Sequence, residues 1–245
     1  MKSNFLSVVV LSLLLAGCGS INRGIQVEDG AIVEGGLSTV NGAIRIGSSS
    51  EVQGKVSNVN GSIQVGNDSQ VGAISNVNGT ITLGPGSRSD GIDTVNGSLA
   101  LGEGVIVNGK AGTVNGRIRA ASNVRVNGNL STVNGTVELD PGTEVDGRVA
   151  TSNGRITMRN ARALSLETVS GSINLLEGSI VEGELLVKKP RRTGSEIPRV
   201  VIGAESRVGG PLTFEREVDL HIHETAQVGE IDGATAQYFS GDKPD

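Results

Sequence analysis

The feature that most constrains this chain is a three-residue phrase, Val-Asn-Gly, that returns at nearly constant spacing. Its complete copies are Val40-Asn41-Gly42, Val59-Asn60-Gly61, Val77-Asn78-Gly79, Val95-Asn96-Gly97, Val114-Asn115-Gly116 and Val133-Asn134-Gly135. Weaker copies follow at Ser152-Asn153-Gly154 and Val169-Ser170-Gly171. Successive glycines are mostly 18 or 19 residues apart. A period of this length is typical of a solenoid, in which each coil stacks on the one before it.

Within one repeat, apolar and polar residues alternate as they do in strands. In the coil from Thr39 to Asn58, the apolar positions at even offsets are Val40, Ile44, Ile46, Val52 and Val56. This pattern predicts an all-β, single-stranded parallel β-helix of about ten coils of 18–19 residues, rising about 4.8 Å per coil. It also predicts that Val114 points inward and contacts Val95 and Val133.

Composition agrees with a narrow core and limits the possible partners. Aromatic residues make up 2% of the chain, so the core is expected to consist of Val, Ile, Leu and Ala. The formal net charge of −5 is unlike the basic surface that nucleic-acid binding requires. We therefore expect no nucleic-acid partner.

The N-terminus has the pattern of an exported protein. Lys2 precedes an apolar run that is short for a membrane span, which predicts a signal peptide over residues 1–17. Leu15-Ala16-Gly17-Cys18 resembles the bacterial lipobox. The resemblance implies lipidation of Cys18, a short tether over 18–24, and, because Gly19 follows, an outer-membrane anchor facing the periplasm. The alternative is an ordinary secretory signal with an unrelated cysteine.

The rest of the chain divides around the repeat. The predicted solenoid covers residues 25–235, interrupted by a basic loop over 188–198 that contains Lys188, Lys189, Arg191 and Arg192. This loop is expected either to be solvated or to contact anionic groups of lipid or peptidoglycan. Residues 236–245 are expected to form a cap and tail, with Tyr238 and Phe239 as a lid on the last coil.

The repeated asparagines occupy one position of every coil. Stacked asparagines can hydrogen-bond along the axis, and Asn-Gly is a strong turn pair in which Asn tolerates left-handed geometry. The sequence thus predicts a structural asparagine ladder composed of Asn41, Asn60, Asn78, Asn96, Asn115, Asn134 and Asn153.

A second row consists of threonine and asparagine just before the valine position. It contains Thr39, Asn58, Asn76, Thr94, Thr113, Thr132, Thr151 and Thr168. One interpretation is that these residues simply fill a sheet face. The other is that they form a flat exposed face that binds peptidoglycan or a surface polysaccharide.

Few residues suggest catalysis or metal binding. His221 and His223 flank Ile222, so on a strand they would point the same way and could share a metal, or simply be solvated. No nucleophile–base pair or phosphate-binding loop stands out. We expect no cofactor and no enzymatic activity.

Several phrases connect the repeat to a known class. Ser50-Glu51-Val52-Gln53-Gly54-Lys55-Val56 and Gly142-Thr143-Glu144-Val145-Asp146-Gly147-Arg148-Val149 resemble the bactofilins, polymer-forming cytoskeletal proteins, as does the segment 203–210. The Val-Asn-Gly-x-Ile phrase also resembles adhesin-like bacterial β-repeat domains. The bactofilin resemblance implies a right-handed, roughly triangular helix that joins end to end. The expected function is a self-associating structural lipoprotein of the cell envelope; the alternative is the glycan-binding module.

Overall fold

A computed structural model describes residues 22–190 and 196–244 of the chain. The chain is all-β, and its parallel strands stack as a β-solenoid of about 11 turns, which confirms the predicted architecture. Within these described ranges, no helix is long and apolar enough to cross a membrane. The predicted signal peptide and Cys18 lie outside the described residues.

Thirty strands make up the described solenoid. The first ten are β1 (Ile25–Val27), β2 (Ile32–Val33), β3 (Leu37–Asn41), β4 (Ile44–Ile46), β5 (Glu51–Val52), β6 (Val56–Asn60), β7 (Ile63–Val65), β8 (Gln70–Val71), β9 (Ile74–Asn78) and β10 (Ile81–Leu83). The next ten are β11 (Arg88–Ser89), β12 (Ile92–Asn96), β13 (Leu99–Leu101), β14 (Ile106–Val107), β15 (Ala111–Asn115), β16 (Ile118–Ala120), β17 (Arg125–Val126), β18 (Leu130–Leu139), β19 (Glu144–Arg159) and β20 (Arg162–Thr168). The last ten are β21 (Ser172–Leu176), β22 (Ile180–Val181), β23 (Leu185–Val187), β24 (Arg199–Ile202), β25 (Arg207–Val208), β26 (Leu212–Phe214), β27 (Asp219–His223), β28 (Gln227–Val228), β29 (Ile231–Asp232) and β30 (Ala236–Phe239).

Each coil contributes a segment to three faces, which we number in chain order within the first coil. Face 1 begins with β1, β4 and β7, face 2 with β2, β5 and β8, and face 3 with β3, β6 and β9. The long strands β18, β19 and β20 continue around corners and so contribute to more than one face. Every pairing is parallel and joins equivalent positions of adjacent coils, as Ile44 with Ile63.

The core is a set of apolar rows that run along the axis. Face 1 contributes two rows, which include Ile44 and Ile46, while faces 2 and 3 contribute rows that include Val52 and Leu37. These side chains are buried by the coils above and below them. Since such a core is only a few side chains wide, aliphatic residues fill it without large aromatic rings.

The corner between faces 1 and 2 contains a buried polar row, composed of Ser50, Ser69, Ser87, Thr143, Ser179 and Ser206. Four of its hydroxyls donate to carbonyl oxygens of the previous coil, as Ser69 Oγ does to Gly47 O at 2.8 Å and Ser87 Oγ to Gly66 O at 2.7 Å. Ser179 and Ser206 donate within their own coil. A buried hydroxyl that finds an acceptor avoids the cost of desolvation. The chain therefore turns at this corner with the buried hydroxyls and the carbonyl oxygens they contact hydrogen-bonded.

The basic loop interrupts the stack without ending it. Ile173 of β21 pairs with Val200 of β24, so the chain between them makes one coil plus the inserted loop. Solenoid pairing then continues to β30, whose Phe239 pairs with His223. The last strand thus extends into the segment that the sequence assigned to the cap and tail.

Candidate functional site

The valines of the repeated phrase face solvent, which contradicts the predicted inward register. Val40, Val59, Val77, Val95, Val114 and Val133 are each 37–40% exposed. In the same coils the inward positions are those of Leu37 and Thr39 before the corner, and Ile44 and Ile46 after it. The bend at Asn41-Gly42 shifts the alternation by one residue. Val40 lies at an even offset from Ile44, and the prediction that both point inward ignored the bend between them.

The threonine and asparagine row is correspondingly buried, not presented as a flat outer face. All eight members, from Thr39 to Thr168, are buried. Several donate to glycine carbonyls of the previous coil: Thr113 Oγ1 to Gly97 O at 2.9 Å and Asn58 Nδ2 to Gly42 O at 2.8 Å. The row therefore stabilises the corner between faces 3 and 1, and the expectation that these residues form a flat exposed face is wrong.

The asparagine ladder has the hydrogen bonds that the sequence predicted. Each Nδ2 donates to the Oδ1 of the asparagine one coil earlier, at 2.8–3.0 Å, for Asn60, Asn78, Asn96, Asn115, Asn134 and Asn153. Asn41 continues the ladder to Asn22 at 2.8 Å, an additional member that the sequence reading missed. All of these side chains are exposed.

The backbone at the ladder differs from the turn that was predicted. Positive φ angles occur at the following glycine in four of the coils, at Gly42, Gly61, Gly79 and Gly154, whereas no ladder asparagine has a positive φ. The prediction that Asn supplies left-handed geometry is therefore wrong. Asparagine contributes the axial hydrogen bond, and glycine contributes the bend.

Because the ladder is solvated, its contribution to stability is modest. We expect Asn115→Ala to lower the free energy of unfolding by about 0.5–1 kcal/mol, since the bonds to Asn96 and Asn134 are lost but both partners can bind water instead. Thermal unfolding of this variant should be compared with Ser170→Ala at the decayed end of the row. A loss for Asn115→Ala well above 2 kcal/mol would contradict the exposed ladder.

The two histidines are buried and have protein partners. They point away from the core, yet His221 and His223 are only 6% and 7% exposed, so the solvated interpretation is wrong. His223 Nδ1 lies 2.9 Å from Thr225 Oγ1, and its ring meets Phe239 edge to face at 5.1 Å. His221 Nε2 lies 2.8 Å from Asp219 Oδ1, although not in line for a hydrogen bond. In the described parts of the chain, no group of three His, Cys, Asp or Glu residues could hold a metal ion.

The chain end only partly resembles the predicted lid. Phe239 packs against His223, but Tyr238 is 69% exposed. The tail does not simply extend into solvent, because Asp242, Lys243 and Pro244 line a shallow cavity with residues of face 1 such as Asn174 and Val201. The last residues thus return along the outer surface of the last coils.

Several charged side chains on the outer surface form ion pairs between neighbouring coils. Lys188 of the basic loop is bound to Glu167 at 2.7 Å, while Arg191 and Arg192 lie outside the described residues. Arg119 binds Asp140 at 3.1 Å, and Arg125 and Arg162 pair with Glu144 and Glu182 on face 2. Exposed pairs of this kind contribute little individually. They leave an outer surface on which positive and negative side chains alternate.

From Leu37 to Asn134 the face 3 strands carry one charged residue, Asp93, which distinguishes this part of the outer surface from the other faces. One coil after Ala150, the same strand position is occupied by Glu167. The exposed valine row runs along this part of face 3. A row of mostly small residues lies two positions before the valines, at Ser38, Ser57, Ser75, Asp93, Gly112 and Ser131, and continues to Ala150 in the next coil. We refer to these as the valine row (Val40, Val59, Val77, Val95, Val114 and Val133) and the small row. Together with the ladder, they form the candidate functional surface of the chain.

Comparisons with protein-family models, with curated proteins and with solved structures give no match to this chain. The resemblance to the bactofilins therefore rests on the repeat phrases of the sequence.

Proposed function

We propose that this chain is a structural lipoprotein of the bacterial cell envelope, anchored in the outer membrane through Cys18 and extending into the periplasm as a self-associating scaffold. The observation that carries the proposal is the continuity of the stack. Parallel pairing joins each coil to the next from Ile25 to Phe239, across the inserted loop. Such a stack has the length and regularity of a spacer or scaffold.

The axial bonding supports a structural role. In a parallel solenoid the backbone hydrogen bonds run along the axis, so all three faces resist separation of the coils together. The asparagine ladder adds a further line of axial bonds between the coils of residues 22–153. A rod connected in this way transmits force from one end to the other.

Self-association is supported by the last coil. Among the described residues, its strands β28, β29 and β30 each pair with one strand of the coil before, so this end of the stack has a strand edge without a strand partner. An exposed strand edge is a template for another chain. This agrees with the end-to-end joining that the bactofilin resemblance implies.

The anchor is supported by the short distance between Cys18 and the fold. The first strand begins at Ile25. A tether of this length spans at most about 25 Å when fully extended. The first coil would therefore lie close to the membrane surface, as a scaffold attached to that membrane requires.

The anchor is tested directly by Cys18→Ser. We expect this variant to be lost from the outer-membrane fraction, because lipid chains on the cysteine are the proposed source of membrane affinity. The measurement is the distribution of the protein between membrane and soluble fractions after a salt wash. Retention of the variant in the membrane pellet would contradict the lipid anchor.

A glycan-binding function is not proposed. The face on which it depended is buried, and aromatic platforms for sugar rings are nearly absent from the sequence.

A further inference from the structure

Face 3 carries a continuous apolar ridge that the fold itself does not use. The six members of the valine row stand one above another, each 37–40% exposed, although valine is among the residues most often buried. The in-register pairing of β3, β6, β9, β12, β15 and β18 places them in a straight line. An isolated exposed valine needs no explanation, but a file of six indicates an interaction surface.

The small row lies beside this ridge on the same side of the sheet. The residue two positions before each of the six valines is Ser, Gly or, once, Asp93, and Ala150 continues the row in the next coil. Side chains two residues apart on a strand point the same way, and small ones leave a shallow groove. Face 3 therefore has a ridge and a groove that run in parallel along the axis.

The charge distribution suits a copy of the same chain. Between them the two rows contain one charged residue, Asp93, and Lys110 binds it at 3.1 Å. The chain as a whole has a formal charge of −5, so two copies repel each other over most contacts. Identical surfaces meet without repulsion on this nearly neutral part of face 3.

We propose that face 3 docks against face 3 of a second copy of this chain, with the valine row of each copy lying in the groove of the small row of the other. The inference deepens the scaffold proposal by naming the surface and partner of its lateral self-association. It does not depend on the lipid anchor.

The shape of the face determines how the two copies are oriented. A two-fold axis parallel to the solenoid axis, placed between the rows, brings each ridge over the opposite groove. A two-fold axis parallel to the strands would instead bring valine onto valine and leave groove facing groove. The complementary arrangement is the parallel one. It sends both N-termini to the same end, as two chains anchored in one membrane require.

The size of the face predicts a weak contact. The strip from Ser38 to Ala150 measures roughly 29 Å along the axis and roughly 17 Å across, given the usual strand spacing and rise. Two copies would then bury about 1,000 Å² in total, which is at the lower limit for specific interfaces. Association is therefore expected to depend on concentration, and anchoring in a membrane would favour it.

The test is sedimentation of the full chain in detergent micelles over a range of concentrations. We expect the wild-type sedimentation coefficient to rise from monomer to dimer, and the variant Val95→Asp/Val114→Asp to lose that rise. The control, Gln64→Asp/Thr82→Asp, adds the same charge at exposed positions of face 1 and should dimerise like the wild type. Thermal unfolding should confirm that both variants remain folded.

Orientation is tested by cross-linking in a Cys18→Ser background, in which each introduced thiol is the only one. Mixing Ser131→Cys chains with Val133→Cys chains should give a disulfide-linked pair, because these positions face each other only in the parallel arrangement. Association without this cross-link would overturn the parallel docking.

Other outcomes separate this inference from the scaffold proposal. Monomeric wild type at all concentrations, or a double-aspartate variant that dimerises normally, overturns docking through face 3. If the wild type stays monomeric but binds peptidoglycan through the same valines, the face has a glycan partner instead. Membrane fractionation of the double-aspartate variant reports separately on the anchor, which these results do not affect.

Discussion

Replacing Gly116 by alanine is expected to destabilise the solenoid severely, by about 3 kcal/mol or more. A Cβ built at this position would lie 2.0 Å from the carbonyl oxygen of Gly97 in the previous coil. That oxygen belongs to the backbone and also accepts the hydroxyl of Thr113 at 2.9 Å, so it cannot move without breaking the corner. Overpacking against a fixed neighbour typically costs 1–3 kcal/mol, and this contact is closer than a side-chain shift could relieve.

The matched control is Gly91→Ala, at the other end of a face 3 segment. There the nearest atom to an added Cβ is Lys110 O at 3.3 Å, and the backbone angle does not require glycine. Chemical denaturation of the two variants should give a small change for Gly91→Ala and a large one for Gly116→Ala. Similar small losses for both would show that the coils are further apart at this corner than described.

The coil length and the strands of this fold could be predicted from the sequence, but the direction of some side chains could not. The constant spacing of Val-Asn-Gly fixes the coil length, and alternation around Ile44 and Ile46 identifies strands, so the parallel stack followed from pattern alone. The direction of Val40 did not, because a tight corner separates it from Ile44. Alternation is a rule within a strand, and it does not pass through a bend.

The candidate surface was also predicted only in part, because features that depend on the repeat period can be predicted and features that depend on the corners cannot. The asparagine ladder depends only on equal positions in successive coils, and the period supplies these. The corner geometry determines whether the threonine row or the valine row is exposed. The sequence therefore predicted an inward valine row and offered an exposed threonine row, whereas the structure has the reverse. The burial of His221 and His223 depends on contacts with Thr225, Phe239 and the chain end, which no repeat pattern encodes.

A core substitution has the second large expected effect. Ile118 of face 1 is fully buried between Leu99 and Val137 of the adjacent coils. Ile118→Ala removes several methyl and methylene groups from a stack that is closed on both sides, so the cavity can collapse only partly. Such substitutions cost about 2–5 kcal/mol. Because coils couple mainly to their neighbours, unfolding should begin near this coil.

The matched control for this experiment is a substitution at the exposed residue Val114, four residues earlier in the same coil. Its side chain is 39% exposed and contributes to face 3, not to the core. Val114→Ala should change the free energy of unfolding by about 0.5 kcal/mol or less. The protein concentration must be below the range in which copies associate, so that the docking surface does not add to the measured stability.

The central claim is that the valines of the repeat face outward while the isoleucines after the glycine form the core. Its most direct test is the free energy of unfolding of Ile118→Ala and Val114→Ala, measured side by side by chemical denaturation. The structure predicts a loss of at least about 2 kcal/mol for Ile118→Ala and almost none for Val114→Ala. Equal losses, or a larger loss for Val114→Ala, would contradict this register and with it the exposed valine row.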